Sequence, residues 1–78
     1  DNAMTVYKSF QIMSANGTAG MSYSVKYPYH AEYAQDENDK DIIFDTEDEA
    51  TAFIDGIYNF AKFQGINLTE YIKNSNNI

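Results

Sequence analysis

Apolar and polar residues alternate most regularly between Met21 and Gln35. The apolar parity consists of Met21, Tyr23, Val25, Tyr27, Tyr29, Ala31 and Tyr33. Strict alternation is typical of a β-strand, because successive side chains point to opposite faces of a sheet. Pro28 interrupts the segment and cannot donate a hydrogen bond to a neighbouring strand. We therefore predict one long, bent strand here, and the alternative is two separate strands joined by a bend at Pro28.

Two shorter segments also have the pattern of strands. Between Thr5 and Met13 the residues Val6, Phe10 and Ile12 share one parity, which predicts a first strand. Between Asp41 and Asp45 a run of three apolar residues predicts a last, short strand.

The polar segment from Ser14 to Gly20 separates the first two predicted strands. Asn16 and Gly17 both tolerate positive φ, which a tight hairpin turn requires at its two central positions. We therefore predict a turn from Ser14 to Gly20, with Asn16-Gly17 as its hairpin signal, and a second polar turn from Asp36 to Lys40.

A long helix is predicted directly after the last strand. Thr46 and Glu49 have the spacing of a capping box, and acidic residues fill the first turn, where the helix dipole favours negative charge. The apolar positions that follow form one stripe at helical spacing: Ala50, Phe53, Ile54, Ile57, Tyr58 and Ala61. Gly65 is a natural end for this helix. Asn67 and Glu70 repeat the capping pattern and predict a short second helix.

These elements together predict an α+β fold. It consists of a three-stranded antiparallel β-meander, or four-stranded as a variant, covered on one face by the long C-terminal helix and followed by the short helix. The predicted core is Phe10, Ile12, Val25, Phe44, Phe53, Ile54 and Ile57. Residues 1–3 precede Met4 and are interpreted as an expression-vector remnant, residues 4–74 as a single domain, and residues 75–78 as a frayed tail.

Charge and composition narrow the classes of partner. Five basic residues against 12 acidic ones give a net charge of −7. Direct binding to nucleic acid or to an anionic membrane is therefore not expected, whereas binding to a basic protein surface is. The chain has no cysteine, which removes disulfides and thiolate chemistry. With no apolar run long enough for a signal peptide or a membrane span, we expect a cytoplasmic protein.

Residues that could support catalysis are scarce. His30 is the only histidine, so a serine triad or a zinc site lacks its usual components. A calcium loop starting at Asp36 would place Lys40 at position 5 and Asp41 at position 6, where an oxygen ligand and a glycine are needed. We therefore expect no enzymatic activity, no cofactor and no metal. No motif in the sequence is specific enough to indicate a family.

The residues left as candidates for binding a partner are aromatic and acidic. The aromatic set, Tyr23, Tyr27, Tyr29 and Tyr33, is part of the core if its face meets the helix and an interface if it faces out. The acidic set is Asp36, Glu37, Asp39, Asp41, Glu47 and Asp48, which either form a solvated turn and helix start or dock on a basic partner.

Three functional hypotheses follow from these candidates. The first is a non-enzymatic protein-binding module that either binds a protein partner or self-associates through the tyrosine face. The second is an acidic antagonist that imitates DNA and binds a nucleic-acid-binding protein, as some small phage inhibitors do. The third and weakest is an enzyme or small-ligand carrier, which would need a deep pocket with converging polar groups.

Overall fold

The computed structural model describes residues 2–28 and 32–75. It contains three strands followed by two helices: β1 (Asn2–Tyr7), β2 (Phe10–Gly17), β3 (Gly20–Lys26), α1 (Glu47–Phe63) and α2 (Leu68–Ser75). The strands form an antiparallel sheet in the order β1-β2-β3, and α1 packs on one of its faces. The predicted fold class, a three-stranded meander covered by a long helix and followed by a short one, is confirmed.

The first hairpin was not predicted. The segment from Thr5 to Met13 is not one strand, because β1 and β2 meet at Tyr7 and Phe10 with only Lys8 and Ser9 between them. Both residues have positive φ, 49° and 73°, as two-residue hairpin turns require. Lysine and serine are not typical of such turns, so the sequence carried no signal for this one.

The second hairpin turn lies within the predicted segment from Ser14 to Gly20, but not at Asn16-Gly17. Asn16 and Gly17 still belong to β2, and the turn is formed by Thr18 and Ala19. Gly20 follows the turn with φ 106°, a conformation that residues with a Cβ atom rarely adopt.

β1 begins at Asn2, before Met4. Asn2 pairs with Ala15 and Ala3 pairs with Ser14, so two of the three residues interpreted as a vector remnant belong to the sheet.

β3 ends at Lys26, two residues before Pro28. The prediction of one long strand from Met21 to Gln35 is therefore wrong. Residues 32–34 lie alongside β3. The Ala34 N–H donates to the Val25 carbonyl oxygen over 2.7 Å, and Tyr33 forms a bridge with Lys26. Residues 29–31, including His30, lie outside the described residues.

The predicted last strand from Asp41 to Asp45 is reduced to isolated bridges. Phe44 and Tyr23 exchange two backbone hydrogen bonds of 2.8 and 2.9 Å, and Asp41 forms a bridge with Gln35. Two short segments, one around Ala34 and one at Phe44, therefore cover the outer edge of β3 in place of a continuous fourth strand.

The helix starts are those that the sequence predicted. The Thr46 hydroxyl accepts a hydrogen bond from the Glu49 N–H at 3.2 Å, and the Glu49 carboxylate accepts one from the Thr46 N–H at 3.1 Å. The Asn67 side chain accepts a hydrogen bond from the Glu70 N–H in the same way at the start of α2. Capping of this kind satisfies backbone donors that have no partner inside the helix.

The core lies between α1 and the covered face of the sheet. Its buried residues are Phe10, Ile12, Val25, Ala34, Ala50 and Ile54. Three predicted core residues, Phe44, Phe53 and Ile57, are half-buried and pack against it. Ala34 was not predicted, and Ala50 was predicted in the apolar stripe of the helix but not among the core residues. The small side chains of both allow the helix and the returning chain to approach the sheet closely.

We predict that Ile54→Ala destabilises the fold by about 2–5 kcal/mol, because Ile54 is fully buried at the centre of the core. Ile43→Ala is the matched control, since Ile43 is 60% exposed and its truncation should change stability by less than about 0.5 kcal/mol. Urea unfolding of both variants measures the difference. Equal losses of unfolding free energy in the two variants would contradict this location of the core.

We predict that Ser9→Gly stabilises the protein by about 0.5–1 kcal/mol, because glycine adopts a φ of 73° without the steric cost that serine has. Ser22→Gly is the control, since Ser22 lies within β3, where glycine weakens a strand. Thermal unfolding should show a higher melting temperature for Ser9→Gly and a lower one for Ser22→Gly. A loss of stability in Ser9→Gly would argue against the positive φ of Ser9 in this turn.

Candidate functional site

The structure does not bring the candidate tyrosines together on one surface. Tyr23 is half-buried and packs against the core on the covered face of the sheet. The Tyr27 ring lies 5.8 Å from the Phe10 ring and is 36% exposed. Tyr33 lies on the opposite, open face, with the Lys26 ammonium 5.8 Å from its ring centroid. Tyr29 is outside the described residues.

The candidate acidic residues occupy the connection between β3 and α1. Asp36 organises the turn, because one of its carboxylate oxygens accepts hydrogen bonds from the backbone N–H groups of Asn38 and Lys40 at 2.8 and 3.1 Å. The Asp41 carboxylate accepts a hydrogen bond of 3.1 Å from the Gln35 side chain. Both carboxylates therefore have a local structural role.

The remaining acidic candidates are exposed and point into solvent at two places. Glu37 and Asp39 lie in the turn, and Glu47 and Asp48 lie in the first turn of α1 beside the capping box. Within residues 2–28 and 32–75, no three acidic or histidine side chains converge in a way that could hold a metal ion.

A polar cluster that the sequence did not indicate joins the first hairpin to α1. We call it the Asp55 cluster, and it consists of Tyr7, Lys8, Asp55 and Tyr58. The Asp55 carboxylate accepts hydrogen bonds from the Tyr7 hydroxyl at 2.9 Å and from the Lys8 ammonium at 2.7 Å. The Tyr58 hydroxyl donates to the Lys8 carbonyl oxygen at 2.7 Å. The Lys8 ammonium also lies 5.4 Å from both tyrosine rings, a cation–π geometry.

Three members of the cluster, Tyr7, Lys8 and Asp55, shift one another's pKa values. Hydrogen bonds from Lys8 and then Tyr7 hold the pKa of Asp55 below its usual range. The hydrogen bond to Asp55 raises the pKa of the Tyr7 hydroxyl, and burial adds to this effect. The same carboxylate raises the pKa of Lys8. These shifts keep Asp55 and Lys8 charged and Tyr7 neutral around pH 7, which suits a structural connection between the hairpin and the helix.

We predict that Asp55→Asn lowers the melting temperature at pH 7 and that the difference from the wild type disappears in acid. A carboxylate with a lowered pKa stabilises the fold above its unfolded pKa, and this stabilisation is lost as the pH falls through the folded value. Thermal unfolding between about pH 2 and pH 7 measures the effect. Asp39→Asn is the control, because it makes the same chemical change in the exposed turn. An equal, pH-dependent fall in the melting temperature of this control would contradict a specific stabilising role of the Asp55 carboxylate.

The most exposed large apolar side chains lie near the C-terminal end of α1. Phe63 is 82% exposed and Phe60 is 65% exposed, and their ring centroids are 6.5 Å apart. With Ala52 and Gly56 they form a stripe on the side of α1 that turns away from the sheet, which we call the outer face of α1. Both phenylalanines fall partly off the main apolar stripe in the sequence. This offset was the signal that could have predicted their exposure.

A groove of about 450 Å³ runs beside the outer face of α1. Its lining is almost wholly apolar and includes Phe53, Gly56, Ile57, Phe60 and Ile66. Between Gly56 and Thr69 the only charged residue is Lys62, although the chain as a whole is strongly acidic. The C-terminal half of the outer face of α1 is therefore an apolar surface with little local charge.

The open face of the sheet is more mixed in character. Met4, Val6 and Ile43 are exposed there, at 52%, 60% and 60%. Polar side chains separate them along the neighbouring strands: Gln11, Ser22, Ser24 and Lys26. Antiparallel sheets commonly leave one such face in water, so this surface needs no partner to explain it.

No protein-family model, no curated protein and no solved structure matches this chain. In the described part of the chain, neither helix has the length and apolar character needed to cross a membrane.

Proposed function

We propose that this protein is a small, non-enzymatic protein-binding module, and that it binds its partner through the outer face of α1. The observation that carries the proposal is the pair of exposed phenylalanines, Phe60 and Phe63, beside an apolar groove. The binding surface in this proposal differs from the tyrosine face expected from the sequence, because Tyr23 and Tyr33 lie on opposite faces of the sheet.

The size of the hydrophobic effect supports a role in binding. Moving a phenylalanine side chain from water into an apolar environment contributes about 1.5–3 kcal/mol. In the isolated chain Phe60 and Phe63 gain little of this free energy, since most of each ring remains in water. Contiguous exposed apolar side chains with aromatic rings are typical of protein interfaces.

The chemistry of the polar groups supports a role without catalysis. The Asp55 cluster joins the first hairpin to α1, and its pKa shifts hold Tyr7, Lys8 and Asp55 in their ordinary charge states. From the acidic composition and the lack of cysteine we further propose that the module acts in the cytoplasm, where disulfides are rare.

The second candidate is the acidic antagonist that imitates DNA. It is favoured by the exposure of all six acidic candidates between Asp36 and Asp48. It is weakened by the local hydrogen bonds of Asp36 and Asp41, which give these carboxylates a role in the fold.

We predict that immobilised protein retains a partner from a lysate of the organism that encodes it, and that Phe60→Ser/Phe63→Ser abolishes this retention. Val6→Ser is the control, because it removes an exposed apolar side chain from the open face of the sheet. Retention should survive high salt, since apolar contacts are not screened.

Two outcomes would count against this assignment. Identical sets of retained proteins for all three chains would exclude the outer face of α1 as the binding surface. A partner that high salt releases, and that is lost when Glu37 and Asp39 are neutralised, would favour the acidic antagonist instead.

A further inference from the structure

We infer that the partner of the outer face of α1 is a second copy of this chain, packed as an antiparallel helix pair about a two-fold axis near Gly56. This inference rests on the proposed function, because it names the occupant of the same surface. Three features of α1 carry it: a glycine that the fold does not require, a self-complementary spacing, and an uneven distribution of charge.

Gly56 has no explanation within the chain. It lies in the middle of α1, where glycine is among the weakest helix formers. A Cβ atom placed on it would have no heavy atom within 4 Å, so the packing of the protein itself leaves room for a side chain. A glycine on an exposed helix face does allow the backbone of another helix to approach closely.

The spacing around Gly56 is complementary to itself. Ala52 and Phe60 lie four residues before and after Gly56, so all three share one side of the helix. When two copies run antiparallel with Gly56 opposite Gly56, Phe60 of each copy lies opposite Ala52 of the other. A large side chain then meets a small one at both ends, as a two-fold interface requires.

The charges of α1 favour the antiparallel arrangement. The first turn of the helix is acidic, with Glu47, Asp48 and Glu49, and the last turn contains Lys62. Antiparallel packing brings the acidic turn of each copy beside Lys62 of the other, and it also aligns the helix dipoles favourably. Parallel packing would instead place the two acidic turns side by side.

The available area predicts a weak dimer. A phenylalanine buries roughly 150–250 Å² when it is fully covered, so Phe60 and Phe63 together offer on the order of 300 Å² per copy. The groove and Ile66, which is 47% exposed, add to this area. A standard interface uses about 800 Å² per partner, so the contact is at the small end and should dissociate in the micromolar range.

Sedimentation of the full chain from about 1 µM to about 1 mM tests the inference, because this range brackets a weak interface. The wild type and Val6→Ser should convert from monomer to dimer, and Phe60→Ser/Phe63→Ser should remain monomeric while keeping its thermal unfolding transition. Gly56→Leu should weaken the dimer at least about tenfold, because its side chain separates the helices. A tighter dimer in Gly56→Leu would overturn the close approach.

Single cysteines test the geometry directly, since the chain has none of its own. Under oxidation, Gly56→Cys should form a covalent dimer, because a disulfide needs Cα atoms within about 7 Å and the two-fold axis brings the two copies together there. Val6→Cys should remain monomeric. Ala52→Cys should not link to itself but should link to Phe60→Cys, and self-linking of Ala52→Cys would indicate parallel packing and overturn the inference.

The failure of this inference is distinguishable from the failure of the proposed function. A wild type that stays monomeric up to about 1 mM, far above the micromolar range expected for a weak interface, would overturn the inference. The proposed function would survive if the lysate still supplied a different partner that Phe60→Ser/Phe63→Ser fails to retain. It would fail as well if neither self-association nor a retained partner depended on the two phenylalanines.

Discussion

The contact between α1 and the covered face of the sheet is the interaction on which the rest of the structure depends. Ile54 and Ala50 on the helix meet Phe10, Ile12 and Val25 on β2 and β3, and all five are buried. A domain of 78 residues buries only roughly 60% of the surface that its unfolded chain exposes, so one such contact supplies most of its stability. A helix and a sheet that each have one apolar side are stable only when those sides meet.

The Asp55 cluster adds direction to this apolar contact. Hydrophobic packing alone allows a helix to rotate or slide on a sheet, since it is not directional. Asp55 and Tyr58 bind the turn at Lys8 through hydrogen bonds, which fixes the middle of the helix relative to the first hairpin. Because that side of α1 is engaged by the hairpin and the adjacent side by the core, the outer face is the part of the helix left for a partner.

Local signals made α1 and its cap predictable from the sequence, because the spacing of Thr46 and Glu49 and the stripe after them are properties of one segment. The strand boundaries were less predictable. Lys8 and Ser9 form a tight turn without glycine or asparagine, so the first hairpin was hidden within one apparent strand. The long alternation after Met21 did continue in sequence, but the chain reversed near Pro28 and moved Tyr33 to the other face of the sheet.

The candidate site depended on tertiary contacts, and these were harder to predict. The role of Asp55 arises from Lys8 and Tyr7, which are 47 and 48 positions away along the chain, and no local pattern indicates such contacts. The exposure of Phe60 and Phe63 could have been anticipated, since both lie off the helical stripe that covers the core. Whether Tyr23 was buried depended on which face of the sheet the helix covers, and the sequence left that choice open.

The covering of one sheet edge has a consequence for how many molecules can join through their strands. Within the described residues, Ala34 and Phe44 occupy backbone groups along the outer edge of β3, whereas β1 is paired with β2 alone. Growth of a fibre by strand addition requires two open edges on each subunit. A molecule with one occupied edge can add only one neighbour, so the growth of a fibre stops at a pair. This asymmetry guards the protein against polymerisation.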